Sequence, residues 1–588
     1  MFFRRKHVGR HEYLQIVANE RVAGRHRQSV IATLGRVDEL EQSGTLERLL
    51  RSGARFCEQA LVLSALERGQ AEILTTRRIG APLIFERLWQ ETGCAAVIAA
   101  LAAERGFGFA LERAIFLTVL HRLIDPGSDR AAARWRDAYA ISCTDELDLH
   151  HLYRAMAWLG EELADQRGAE LAPRTTKDLI EEALFAGRRH LFTDLGIVLY
   201  DTTSLYFEGD GGTLGRFGHS KDHRPDLKQV IQAVVVDAEG RPILSELWPG
   251  NTTDVTTLLP VIARLKQRFL VGRVRVVADR GMISAATIAE LERQGIEYVL
   301  GVRERRSKEI ASVLAECATA VPLSIPKAAR RGTTDLMISE VVRGDGQPRR
   351  RYIVCRNEAE AEKDAAERGA ILDSLREKLK ASDLALVGNR GYRRFLKPAG
   401  GQRFAIDPAR VAADARFDGV YVLRTNARAS ALEIAITYRQ RYVVEDIFRS
   451  AKSLLATRPI FHKCDETIRG HIFCSFLALV LRKELMDRLA AAGRDLEWAE
   501  VIFDLERLVE TEIAQDGKRF LVRPAAPGCA GVVFQAVGVA LPPTVRAARS
   551  PPEPPPRRSS QGRPRQRRRG ANAAPASTNR LNERIFPN

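Results

Sequence analysis

The sequence predicts an α/β protein: a mixed sheet carrying a β-rich insertion domain, preceded by a small β-hairpin segment and a mainly helical region, and followed by a disordered basic C-terminal tail. Three observations predict it. From about residue 195 to 302, apolar strand-like runs alternate with a helix-period run. From 303 to about 410, short strands and a polar helix break that alternation, as an insertion would. From about 545 to 585 the chain is rich in proline and arginine, with almost nothing apolar to bury.

Residues 1–42 alternate like strands, with "VAGRHR" as a hairpin turn and Gly24 at its bend. Residues 43–190 are mainly helical by period. Within them "ALERAIFLTVLHRLI" (110–124), the turn "DPGS" and "DRAAARWRDAYA" outline a helix-turn-helix. Its Arg130, Arg134 and Arg136 would suit a DNA-end-binding region, and two helices that merely pack together have the same outline. In 191–302, "GIVLYDTTSLYF" reads as a strand and "KQVIQAVVVDAEGRPILSEL" as two strands joined at "DAEG". "RVRVVADRG" is a buried strand, "SAATIAELERQ" a helix and "IEYVLGV" a further strand. Three antiparallel strands followed by strand, helix, strand is the opening order of a ribonuclease H-like mixed sheet. The insertion domain spans 303–410. Residues 411–515 return to the sheet with "GVYVLRTN" and continue as a long helical region, and 516–588 form a C-terminal region with the disordered tail.

The net charge is +17 over 588 residues. From Leu541 to Asn588 there are eleven arginines against two glutamates, about half of that excess. A basic body with a more basic tail points to a polyanionic partner, nucleic acid first. Eight scattered cysteines without a CxxC pair speak for a reducing compartment and against a zinc module. The apolar run "HIFCSFLALVL" (471–481) is too short to span a bilayer and reads as a buried helix. "MFFRRKHVGRHEY" lacks the apolar stretch of a secretion signal. The expected location is the cytoplasm, at the nucleoid, with no membrane partner.

Asp201 interrupts the apolar strand "IVLYDTTSLYF", where a carboxylate is costly unless it is paired, protonated or bound to a cation. Asp279 follows "VRVVA" at the carboxyl end of the next buried strand, where ligands gather in α/β sheets; a helix-cap aspartate would sit there equally well. In "YRQRYVVEDIFRSAK" (438–452), a continuous helix puts Tyr438, Arg441, Glu445 and Lys452 within roughly 60° of one another, beside an apolar face. Arg441 with Glu445, and Glu445 with Arg449, are also ordinary i,i+4 ion pairs. Taken together, Asp201, Asp279 and Glu445 would be three carboxylates at one sheet. Such a set stays ionised only with cations between its members, and two divalent ions would serve, Mg²⁺ suiting all-oxygen ligands. His219 and His223 read as exposed loop histidines, and Asp222, Asp226 and Asp254 rank as spare carboxylates because none follows a buried strand.

These residues resemble a family. Y-x2-R-x3-E-x6-K (Tyr438, Arg441, Glu445, Lys452), with "LYDTTSLYF", "GHSKDHRPDLKQV", "PGNTTD" and "VADRGMIS" in order before it, is similar to bacterial insertion-sequence transposases of the DDE type, in their Tyr-Arg-Glu-Lys subgroup. The resemblance covers most of residues 1 to about 515. It implies that Asp201, Asp279 and Glu445 are the catalytic residues and hold two Mg²⁺ ions, with Mn²⁺ as a substitute. It implies that Tyr438, Arg441 and Lys452 contact the transposon end. The partners would be terminal inverted repeats and target DNA, in a paired-end homodimer. Some relatives stack a flipped base on an insertion-domain tryptophan; this insertion has none, and Tyr352, Tyr392 or Phe395 would have to substitute. A ribonuclease H-like nuclease without strand transfer and a catalytically inactive DNA-binding protein are the alternatives.

Overall fold

The computed structural model describes residues 2–22, 25–46, 48–49, 72–164, 174–188, 196–269, 274–279, 284–302, 308–317, 320–326, 333–343, 350–381, 390–399, 404–515 and 518–548. Gly24 and the Pro/Arg-rich tail beyond residue 548 lie outside the described residues.

Strands β1 (Phe2–Val8), β2 (His11–Val22) and β3 (Arg25–Arg36) form an antiparallel sheet, and the strand-like alternation read over 1–42 stops at Arg36, where helix Val37–Gln42 begins. Strand β4 (Glu72–Arg78) leads into helices Gly80–Glu91, Cys94–Ala103, Leu111–Ile124, Asp129–Trp135, Leu149–Leu159 and Thr176–Arg188. The central sheet begins with β5 (Ile197–Tyr206), β6 (Gln229–Val236) and β7 (Pro242–Pro249), antiparallel in succession. Next come β8 (Arg275–Ala278) and β9 (Glu297–Gly301), separated by helix Ala285–Arg293. Strand β8 runs parallel to β5, and β9 parallel to β8. The five strands thus lie in the spatial order third, second, first, fourth, fifth, the ribonuclease H-like order the sequence predicts.

Residues 303–410 contribute β10 (Val321–Pro326), β11 (Thr333–Arg343) and β12 (Arg350–Arg356), helix Glu358–Ala381, and a short pair β13 (Leu396–Pro398) and β14 (Phe404–Ile406). Strand β15 (Val420–Thr425) pairs with β9 on one side and β12 on the other, so β10–β12 extend the central sheet. The long helical region read from about 430 to 515 ends earlier than expected. Val509–Gln515 is β16, which pairs with β4 and with β17 (Lys518–Val522), and β18 (Val545–Ala547) closes that sheet. Alternating Val509, Thr511 and Ile513 suit a strand once a partner from the start of the helical region is available.

Period-two alternation divides the central sheet's two faces. Leu199, Val234, Val236, Val277 and Val299 join the main core with the helical region and the buried helix Asp465–Ala491. Val198, Tyr200, Ala233, Val235, Val276 and Ala278 join a second core under helix Asp254–Arg268. Strand β6 is buried at every position, which explains why only Gln229 and Gln232 interrupt its apolar sequence. Helix Asp465–Ala491 contains "HIFCSFLALVL" and is buried from Gly470 to Leu481. It crosses helix Leu149–Leu159 so closely that a Cβ on Gly470 would stand 1.9 Å from the Met156 carbonyl oxygen. Among the described residues no helix is long and apolar enough to cross a membrane.

A buried charge cluster joins helix Thr176–Arg188 to β7 and helix Asp254–Arg268. Lys177 Nζ lies 2.9 Å from Asp178 and 3.4 Å from Glu181, and donates to the Ser245 carbonyl at 2.6 Å. Burial pushes the Glu181 carboxyl up to about 7, with Asp178 adding to the rise, while Lys177 and the Ser245 amide oppose it. An unfolded glutamate titrates near 4.3. Between those values the folded chain binds the extra proton, so this group's contribution falls as pH rises from about 4.5 to 7 and stays lost above. Glu181→Gln is therefore expected to raise the unfolding midpoint at pH 8 and leave it nearly unchanged at pH 4.5. Equal shifts at both values would refute this assignment.

Candidate active site

Strand β5 carries Asp201 on the same face as Leu199, toward the main core, where helix Tyr442–Arg449 packs against β5 and β6. Asp279 follows the last residue of β8, which is the parallel neighbour of β5. Both aspartates therefore reach the same end of the sheet. The stretch 438–452 is not one continuous helix, as its spacing predicts, but a broken one. Helix Ala431–Arg439 ends, the chain bends at Gln440 and Arg441, helix Tyr442–Arg449 begins, and Ser450–Leu454 forms a π-turn. The expected single stripe is lost, yet Tyr438 and Arg441 both reach Asp279, and Arg441 pairs with Glu445.

Arg441 is the hub. Its guanidinium lies 3.3 Å from an Asp279 carboxylate oxygen and 2.8 Å from Glu445 Oε1, and it also acts on Asp201 electrostatically. Tyr438 donates its hydroxyl hydrogen to Asp279 Oδ1 at 3.4 Å, and its ring lies under Arg441 and beside Tyr421. The close approach needs a glycine: a Cβ on Gly301, the last residue of β9, would sit 2.4 Å from the Tyr438 hydroxyl. Lys452 is placed apart from this group, 2.7 Å from Asp222, whose other oxygen is 3.1 Å from Arg458.

Asp201 retains some contact with solvent, yet burial pushes its carboxyl up to about 6. Lys221, the Thr202 amide and Arg441 oppose that rise, and Asp279 adds to it. The anion is thus held where only nearby cations make it comfortable. This set fits a divalent ion on two grounds. The donors are all carboxylate oxygens, which suit a hard cation. A positive group, the Arg441 guanidinium, already bridges two of them. Among the described residues, the groups of three whose ligand atoms all lie within 4.8 Å of one another are elsewhere. The most buried of those, Asp129, His462 and His471, has Arg122 Nη2 at 2.8 Å from His471 Nδ1, which marks a hydrogen-bond network.

Tyr352 and Phe395 are fully buried, so neither can stack on an extruded base; Tyr392 is partly exposed and bonded to Ser374. Arg136 spends its guanidinium on the Thr144 and Leu147 carbonyls, whereas Arg130 and Arg134 are exposed. The glycine-rich loop "GDGGTLGRFG" (209–218) is tied down: Asp465 accepts from the Thr213 amide and hydroxyl, and Gly212 lies too close to Asp465 to carry a side chain. His219 and His223 are exposed. Asp222 and Asp254, read as spare carboxylates, each pair with a cation: Asp254 with Lys221 and Asp222 with Lys452.

Residues 193–481 match the family model of the transposase DDE domain, and residues 3–67 that of the IS1634 family transposase N-terminal domain. No curated protein matches the chain. Similar solved structures include two transposase complexes. One is a cryo-EM structure of the piggyBac transposase synaptic complex with hairpin DNA, at 12% identity over 73% of this chain and 79% of that one, with a TM-score of 0.35. The other is the Mos1 transposase paired-end complex with left transposon end, at 15% identity over 33% and 60%, with a TM-score of 0.14.

Proposed function

Because the chain belongs to the DDE-type insertion-sequence transposases, enzymes that cleave DNA and transfer strands with the help of divalent metal ions, we propose that Asp201, Asp279 and Glu445 are its catalytic carboxylates and hold two Mg²⁺ ions, replaceable by Mn²⁺. The observation that carries this reading is the convergence of the three on Arg441 at one end of the central sheet. When bound, the ions would supply activation of the attacking oxygen and charge stabilisation of the leaving one. The chain's own residues do the rest. Strands β5 and β8 fix the two aspartates, and helix Tyr442–Arg449 presents Glu445 across from them. Arg441 and Tyr438 set the orientation of Asp279, and with Lys452 they would lie along the phosphates of the transposon end. The N-terminal sheet and the helical region, with exposed Arg130 and Arg134, would grip the terminal inverted repeats. Two ends must be paired, so a homodimer acting on nucleoid DNA in the cytoplasm is the assembly we infer.

The test is direct. Purified protein with Mg²⁺ should nick a DNA carrying the element's terminal repeat at the end, and join the new 3′-hydroxyl to a supercoiled plasmid. Nicking without joining would make it a nuclease, and binding without either would make it an inactive DNA-binding protein. Arg441 carries a further expectation. Arg441→Lys keeps the charge but cannot span two carboxylates with a planar fork. It should slow nicking by about 10- to 100-fold, the usual cost of losing a group that orients metal ligands. A rate within twofold of the parent's would remove Arg441 from the machinery.

A further inference from the structure

The first aspartate strand and the glutamate helix are joined by two consecutive residues outside the acidic set. Lys221 lies in the segment between β5 and β6. Its backbone amide donates to Ser204 Oγ at 2.9 Å, pinning the segment to β5. Its Nζ donates to both the carbonyl and the hydroxyl oxygen of Thr202, each at 2.8 Å, and lies 3.1 Å from Asp254 Oδ2. The Thr202 hydroxyl in turn donates to Asp254 Oδ1 at 2.8 Å, and the Thr202 amide donates to Asp201 Oδ1 at 2.8 Å. The residue that positions the Asp201 carboxylate is thus itself held through two of its atoms, the carbonyl and hydroxyl oxygens. Asp222, the next residue, points the other way. Its side chain is only 5% exposed, and it binds Lys452 at 2.7 Å and Arg458 at 3.1 Å just past the helix that carries Glu445.

We propose that Lys221 and Asp222 are positioning residues for DNA cleavage, a two-residue strap that fixes Asp201 through Thr202 and Asp254 on one side and the Lys452–Arg458 pair on the other. The inference rests on the assignment of Asp201, Asp279 and Glu445 as the catalytic set. Lys221 makes its bonds on the strand behind the first carboxylate, and Asp222 makes its own beyond the third. Together they hold the spacing of two elements that are far apart in the chain.

The test uses the full chain with Mn²⁺ as the probe. Mn²⁺ binding is followed by electron paramagnetic resonance, end-DNA binding by gel shift, and nicking at saturating DNA and metal. Lys221→Met is expected to slow nicking at least 10-fold and weaken Mn²⁺ binding at least fivefold, with end-DNA affinity within twofold. Lys221→Arg should recover most of both losses. Asp222→Asn should slow nicking at least 10-fold with Mn²⁺ affinity unchanged, and Asp222→Glu should restore it. Unchanged or tighter Mn²⁺ binding in Lys221→Met would overturn the proposal, because the lysine would then act only as a repelling charge. If Lys221→Met does not fold, Thr202→Val, a near-isostere on a β-strand, removes the same hydroxyl link and must weaken Mn²⁺ binding in the same way. Asp201→Asn in the same assays separates the two levels. If it binds Mn²⁺ and nicks like the parent, the catalytic assignment fails. If it is inert while Lys221→Met matches the parent, only the strap fails.

Discussion

Asp201→Asn, Asp279→Asn and Glu445→Gln are each expected to abolish end cleavage and strand joining while leaving the protein folded and able to bind end DNA. Each substitution keeps the shape of the side chain and removes one negative oxygen from the group around Arg441. Charge stabilisation at a metal site is worth several kcal/mol, and about 4 kcal/mol corresponds to roughly a 10³-fold loss of rate. The three effects should not add, because a site missing one ligand already fails. Asp201→Asn has a second signature. Burial disfavours its charge, so the asparagine should not destabilise the fold and should raise the unfolding midpoint slightly at neutral pH. Nicking by any of the three at a rate within tenfold of the parent's would exclude that residue from the metal set.

The three acids were legible in the sequence for different reasons. Asp201 stands out as a charge inside an apolar strand, and Asp279 because it ends one. Glu445 was legible only through the spacing of its neighbours, since the local ion pair with Arg441 that the spacing also allows is present too. The bend at Gln440–Arg441 was hidden because the apolar positions Val443, Val444 and Ile447 keep a helical period whether or not the chain breaks before them. Pairings between distant segments were hidden as well. Nothing local in Val509–Gln515 announces a partner at Glu72–Arg78, and nothing in "GHSKD" announces Thr202 and Asp254. Tyr352 and Phe395 looked available for base stacking because composition does not reveal which aromatic residues a sheet and a helix will cover.

Arg264→Met is expected to give the largest loss of stability of any single change considered. Arg264 lies 2.9 Å from Asp178 and is paired with Glu246, and all three side chains are less than 10% exposed. Asp178 also accepts from the Thr175 amide and hydroxyl and pairs with Lys177, and these contacts hold its carboxyl well below the usual range. Among the described residues Glu246 has no comparable set of donors, so removing Arg264 leaves a buried carboxylate without its cation. Breaking a buried pair in this way costs about 3–5 kcal/mol. The loss should appear as a lower urea midpoint, followed by circular dichroism at pH 8. The triple variant Arg264→Met, Asp178→Asn, Glu246→Gln should regain part of the loss, because the cost lies in the stranded charge more than in the missing contact. A loss below about 1 kcal/mol in the single variant would show that the cluster is open to water, and that Arg264 adds little to the hold between helix Thr176–Arg188 and the sheet.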